Sequence, residues 1–350
     1  MKVLLLFPPK YGFLEGIFLA LSYKEIECCY LDYYTTLSSA EQKVNTQMFR
    51  FPDKVRKHWE QYFFNKINNW YVHQFESLKP DFVIVYNNQM LLPESLIWLR
   101  KRKVKIAFFL GDNPLYTTTS RYNLAILEYA DSIFVPDSFW LSQLTKTGLQ
   151  NVNFLLPPLP VNLYHPIVNM EQDEINQLVT EVLYVGMNYN DSWGYKKAKF
   201  LSYFTDYDLK IYGNKAWKRW FVFFPELKNH FIEKSGFITV GQLNKMYNCT
   251  KIVPVDGNPG IMNGIHARIV ESLAAGTLPL MEWNTDMDGI FNGITDLPAV
   301  KDYRQIPEMV SYYLNNESKR QQIIERMRSA YHEKYNNRSV SDTIFKSLSI

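Results

Sequence analysis

The segment Asn263 to Asn284, NGIHARIVESLAAGTLPLMEWN, strings together residue types that can hold a phosphorylated ligand. Asn263-Gly264 is a turn signal, Ile265, Ile269 and Leu273 recur at helical spacing, and Ala274-Ala275-Gly276 closes the helix. Free backbone N–H groups at such an entrance, with His266 and Arg268 beside them, would hold a diphosphate by dipole and charge. Deeper in the helix, Glu271 is a carboxylate able to accept both hydroxyls of a ribose. A second acid, Asp112, ends the apolar run KIAFFLGD, and Glu15 follows the first apolar run; either could deprotonate a hydroxyl, although Asp112 could equally cap the next turn. Two carboxylate pairs, Asp206/Asp208 and Asp286/Asp288, have one residue between their members. The first precedes a strand instead of following one and the second lies in a polar loop, so no metal site is expected.

These residues need a scaffold, and the chain spells one. In the first half, short apolar runs such as KVLLLF, DFVIVYN and KIAFFLGD alternate with amphipathic stretches, a pattern that predicts a parallel sheet covered on both faces. A loop containing Gly12 and Gly16 is expected after the first strand, then a helix from about Ile17 to Lys24. HWEQYFFNKINNWYVHQF (58 to 75) reads as a helix with Trp59, Phe63, Ile67 and Trp70 on one face. PPLPVNLYHP (157 to 166) carries four prolines and cannot continue a sheet, so the domain crossing is placed there. The alternation then restarts with EVLYVGMN, LKIYG, KIVPVDG and LPLMEW. The expected division is a Rossmann-like domain over 1–160, a second over 161–335, and a C-terminal helix over 336–350 packing back toward the first.

Composition narrows the function classes. A length of 350 residues suits two domains that each bury a core, and 38 basic against 35 acidic side chains leave a net charge of +3, which announces no polyanion partner. The opening MKVLLLFPPK is too short for a leader or a membrane span and reads as a strand. Cys28, Cys29 and Cys249 show neither metal spacing nor a disulfide framework, which fits a reducing cytoplasm. AWKRWFVFF (216 to 224) mixes Lys218 and Arg219 with Trp217, Trp220 and Phe221, a pattern open to core packing or to contact with a membrane surface.

The motif segment resembles the nucleotide-sugar motif of the two-Rossmann-domain (GT-B) glycosyltransferases, and within them the CgeB-like branch, through Asn263, Arg268, Glu271, Ala274, Gly276 and the strand TLPLM. KIAFFLGDNP, ILEYADSIFVPD, LPPLPVNLYHP, IYGNKAW and a terminal segment with Tyr335 and Arg338 are similar to other blocks of that family, so the resemblance spans Lys79 to Ile344. Where the broader retaining group has a pair of glutamates, the second is Glu271 and the first is replaced by Asn263.

The resemblance implies an α/β GT-B fold of two Rossmann-like domains facing across a cleft, and a metal-independent hexosyl transfer with retention. The donor would be a UDP- or GDP-sugar, with no permanently bound cofactor. Glu271 would hold its ribose, Arg268, His266, Asn263 and the amides of Gly264 and Ile265 its diphosphate, and Phe237 and Ile238 its base. Lys196 or Lys197 would neutralise the leaving phosphate, Gly186, Gly213 and Gly16 would allow close approach of backbone, and Asp112 would be the acceptor-side base. The acceptor is a glycan, a lipid-linked saccharide, a protein or a nucleic acid, the last without support from the charge. A cytoplasmic location follows, with peripheral membrane contact and oligomeric state left open. A GT-B epimerase and a non-catalytic nucleotide-sugar-binding module are the alternatives.

Overall fold

The computed structural model of the chain describes residues 1–7, 12–24, 26–116, 122–234, 236 and 238–349. Its strands are the apolar runs of the sequence, and most are buried on both faces, as parallel strands under helices must be. The chain divides into two compact units, Met1–Leu156 with Asn337–Ile350, and Pro157–Asn336.

The first unit runs β1 (Lys2–Leu6), α1 (Gly12–Ser22), β2 (Glu27–Tyr30), α2 (Ser39–Gln47), α3 (Asp53–Leu78), β3 (Phe82–Tyr86), α4 (Pro93–Lys101), β4 (Lys105–Phe109), β5 (Ser132–Val135), α5 (Ser138–Lys146) and β6 (Val152–Phe154). Its sheet is parallel throughout, in the order β2-β1-β3-β4-β5-β6. α1 begins earlier than the glycines suggest, because Phe13, Leu14, Ile17 and Leu21 form one buried helical stripe. Gly16 therefore sits inside a helix and not in a loop. In α3 the buried stripe is Phe63, Ile67, Tyr71 and Phe75, flanked by Phe64 and Asn68, while Trp59 and Trp70 are only half-buried. Asn68 is tolerated in that core because its amide donates to Phe64 O and Met90 O and accepts from Leu92 N and Ser95 Oγ.

The second unit runs α6 (Gln172–Leu178), β7 (Thr180–Val185), α7 (Ser192–Ser202), β8 (Leu209–Gly213), β9 (Phe231–Glu233), α8 (Val240–Asn248), β10 (Thr250–Val255), α9 (Ala267–Ala275), β11 (Leu278–Glu282), α10 (Asp286–Ile290), β12 (Ala299–Val300), α11 (Ile306–Asn315) and α12 (Glu317–Lys334). Its parallel sheet has the order β12-β11-β10-β7-β8-β9, so the chain's direction across the sheet reverses between β7 and β10. The proline run opens this unit, held to α12 by the Tyr331 hydroxyl, which donates to Pro157 O at 2.7 Å.

The last helix, α13 (Asn337–Leu348), belongs to the first unit. Val340, Ile344, Phe345 and Leu348 are buried; Phe345 meets Phe82 edge to face at 5.7 Å, and Asp342 pairs with Lys24, just past the end of α1, at 2.6 Å. Among the described residues, no helix is long and apolar enough to cross a membrane.

Candidate functional site

In an open parallel sheet, the helices that follow the two strands at the point of reversal leave in opposite directions, and a crevice opens beyond the carboxyl ends of those strands. In the second unit that place is the end of β7 and β10. Asp256, the first residue past β10, is buried there, and its Oδ1 accepts from the Tyr184 hydroxyl at 2.8 Å and from Arg268 Nη1 at 3.4 Å. Lys197, brought in by α7, sets its ammonium 3.5 Å from Asp256 Oδ2 and donates to Met187 O at 3.0 Å. Arg268 Nη2 also donates to Val185 O at 3.1 Å, and the guanidinium lies 4.6 Å from the centroid of the Tyr184 ring.

Burial pushes the Asp256 carboxyl upward, but Lys197, Arg268 and His266 around it and the Tyr184 hydrogen bond more than reverse this, and its pKa ends below the ordinary value. The pair of cations thus meets a single ionised acid, and the cluster keeps one positive charge in excess. Asp256 Oδ2 and the nearby Asn188 Nδ2 are buried without a hydrogen-bond partner among the described residues. Lys196, next to Lys197, pairs with Glu282 at the end of β11, whose Oε2 accepts from Gly257 N at 2.9 Å and from the Tyr303 hydroxyl at 3.1 Å.

α9 supplies the other part of the site. His266 caps it: Nδ1 accepts the Arg268 N–H at 3.0 Å, which leaves the ring proton on Nε2. Burial, and then the neighbouring Arg268 charge, hold the His266 pKa down at about 3, so the ring is neutral. Gly276, at φ 82°, ends the helix in the left-handed conformation, and Thr277 N donates to Ser272 O at 2.9 Å. Between these caps almost every side chain is buried. Glu271 is the exception in kind. Half-buried, it has no hydrogen bond or ion pair among the described residues. Burial drives its pKa up to about 7, with the Arg268 charge pulling in the opposite direction.

The loop before α9 is tied to the end of β11, since Gly264 O accepts from Asn284 Nδ2 and Asn263 O from Asp286 N, each at 2.9 Å. Gly264 and Ile265 are buried. Gly186 and Gly213 are needed by the protein's own packing: a Cβ on Gly213 would stand 2.3 Å from Trp217 Nε1, and one on Gly186 3.0 Å from Arg268 Nη2. Ile238 is half-buried just before Thr239, which caps α8 through Gln242 N. Phe237 lies outside the described residues.

Asp112 and Gly16 belong to the first unit, not to this cluster. Asp112 is exposed after β4; Asn87 Nδ2 donates to its Oδ2 at 2.7 Å, and Asn87 Oδ1 accepts from Gly111 N and Asp112 N. Crowding by surrounding atoms raises the Asp112 pKa, while the Asn87 bond opposes the rise. Asn87, Gln89 and Met90 all have positive φ, at 55°, 43° and 58°, a concentration of left-handed non-glycine residues at one strand end.

Sequence reasoning missed Asp256, Tyr184 and Glu282. The available signal was position: KIVPVDG ends a strand in an acid and a glycine, but that strand's place beside β7 is set by tertiary structure. Among the described residues, no group of three or more His, Cys, Asp or Glu converges, and neither Asp206/Asp208 nor Asp286/Asp288 forms such a group.

Residues 196–346, less than half of the chain, match the glycosyl transferase-like family, and that segment contains Lys196, Lys197, Arg268 and Glu271. Solved structures match over nearly the whole length. Sucrose-phosphate synthase from Thermosynechococcus elongatus superposes with a TM-score of 0.66 at 11% identity, covering 99% of this chain and 98% of its own. Trehalose-6-phosphate from E. coli bound with UDP-2-fluoro glucose gives 0.62 at 12% identity, with 99% of both chains covered. UDP-GlcNAc 2-epimerase from Neisseria meningitidis bound to UDP-GlcNAc gives 0.58 at 12% identity over 100% of both. Likeness at such identity speaks for fold, and the fold is GT-B: two parallel six-stranded sheets, each flanked by helices. Among curated proteins, none matches the sequence.

Proposed function

We propose that the protein is a glycosyltransferase that takes a sugar from a nucleoside-diphosphate donor held on the second unit. The carrying observation is Glu271, a carboxylate without a hydrogen-bond donor among the described residues, on a helix whose entrance lies against a cluster with excess positive charge. A ribose supplies two hydroxyl donors to such a group. A diphosphate supplies the negative charge that the cluster and the α9 entrance lack.

The hard step in sugar transfer is breaking the bond between the anomeric carbon and the diphosphate oxygen. As that bond lengthens, the sugar gains positive charge and the leaving phosphate gains negative charge. A buried excess cation aimed at the leaving group stabilises the second charge more in the transition state than in the ground state, because few water molecules screen it. Arg268 is engaged by Asp256 and Val185 O, so in this reading it acts mainly through its field. His266 is neutral and offers its Nε2 proton to a phosphate oxygen. This charge set performs the task without a divalent ion, which makes the reaction metal-independent.

Retention follows in this proposal from the resemblance to the retaining group, with the departing phosphate oxygen taking the acceptor proton. Asp112, its pKa raised, is the base if the reaction inverts. The reading extends to a hexosyl donor on UDP or GDP, a glycan, lipid-linked or protein acceptor, and a place in the CgeB-like branch. A second reading, sugar-nucleotide epimerisation, draws on the same fold in the Neisseria meningitidis epimerase.

Calorimetry with UDP, GDP and their sugars tests the proposal. One of them should bind, and Glu271→Ala should cost about 2 kcal/mol or more, roughly thirtyfold in Kd. Binding by none, or unchanged binding in the variant, defeats it. An epimer formed from the donor with no acceptor present selects the second reading.

A further inference from the structure

The donor reading makes no use of the aromatic and basic segment 216–224, and the structure separates its two kinds of residue. Trp217 and Trp220 are buried and anchor the segment, their indole N–H groups donating to Gly186 O and Tyr189 O, each at 2.9 Å. Val222 and Phe223, in the next turn, stand out at 77% and 59% exposure. Phe223 rests against Tyr195 of α7, ring centroids 5.6 Å apart, and Tyr195 is itself 43% exposed. Together they form an apolar tip.

Charge gathers in the same stretch of chain. From Lys215 to Lys234 the chain has five basic residues, Lys215, Lys218, Arg219, Lys228 and Lys234, and two acidic ones, Glu226 and Glu233. That excess equals the +3 of the entire chain, so the remaining residues sum to zero. Lys218 is paired with Glu233, whereas the other four cations are exposed and have no carboxylate partner among the described residues.

A protein interface of standard size needs roughly 1,200 Å² or more of total buried surface, which calls for a broad face. A pair of exposed apolar side chains in a stretch of chain rich in exposed, unneutralised cations instead matches a bilayer, where the apolar pair enters the headgroup layer and the cations meet lipid phosphates. We propose that this turn docks the protein on an anionic lipid surface, with Val222 and Phe223 inserted and Lys215, Arg219, Lys228 and Lys234 on the headgroups. The inference does not depend on the donor reading. Should both hold, α7 links them, because Tyr195 belongs to the patch and Lys196 and Lys197 to the cluster.

Vesicle flotation of the full chain tests the proposal, using phosphatidylcholine alone and phosphatidylcholine with about 30% phosphatidylglycerol. The protein should float with the anionic vesicles only and be released by about 0.5 M salt, which shortens the reach of the charges. Val222→Asp with Phe223→Ser, and separately Arg219→Glu with Lys228→Glu, should each weaken binding by at least about tenfold while the thermal melt stays unchanged. The proposal is overturned if the wild type does not float, if it floats equally with both vesicle types, or if neither variant changes binding. Dimerisation abolished by Val222→Asp in light scattering would assign the patch to a second copy of the chain and overturn it as well.

Discussion

A half-buried glutamate with no donor among the described residues is an unfavourable choice unless something else is meant to meet it. Ordinary glutamate titrates at 4.5, and in this fold Glu271 is raised to about 7. Below pH 4.5 the group is protonated whether the chain is folded or not, and it costs nothing. Above pH 7 it is ionised in both states, and the folded chain bears the whole desolvation penalty, about 3 kcal/mol at most for such a shift. The stability conferred by the proton is therefore lost as pH rises between those values. Glu271→Gln should accordingly stabilise the ligand-free protein at pH 8 by about 2 kcal/mol and change little at pH 4, read by urea unfolding at both pH values. Ligand binding should show the opposite preference, since ionised carboxylate is the better acceptor for ribose hydroxyls. UDP affinity should rise about tenfold from pH 6 to pH 8, with Glu271→Gln keeping only the part due to the ligand's own phosphate. At this scale the placing of His266, Arg268 and Glu271 at the entrance of and along one helix was legible from spacing. Asp256 was not, because an acid before a glycine reads first as a turn residue.

α9 shows why a short element can be read so far ahead of its structure: a histidine cap, an apolar stripe and a terminal glycine all agree on one helix. α1 gave conflicting signals, and burial of Phe13 and Leu14 prevailed over two glycines that read as a loop. In α3 the choice of face moved because two tryptophans were given more weight than the i, i+4 series Phe63, Ile67, Tyr71 and Phe75. The ion cluster joins elements far apart in sequence, β7, α7, β10 and α9, and no local signal announces such a meeting. Its members depend on one another. Asp256→Ala would leave two buried cations opposite no anion, and is expected to cost about 3–5 kcal/mol by urea denaturation. Lys196→Met breaks only the half-exposed pair with Glu282 and should cost about 1 kcal/mol or less in the same assay.

Across the whole chain, the two parallel sheets follow from the alternation of apolar runs, whereas strand order does not, since neither run length nor composition says which neighbour a strand will choose. The first unit is discontinuous, its α1 packed against α13, which follows the second unit in sequence. Removing residues 337–350 would uncover α1 and the rim of the sheet at Phe82. Scanning calorimetry of that truncation should show a transition lowered by roughly 10 °C or more for the first unit and one little changed for the second, given how few kcal/mol separate folded from unfolded domains. The same arrangement sets a schedule for synthesis. A ribosome releases all of the second unit before it delivers α13, so the half of the protein that is made first must wait, with α1 bare, until the half made later has already folded. A nascent chain stalled near residue 336 would then present a finished C-terminal sheet beside an N-terminal one still open to chaperones.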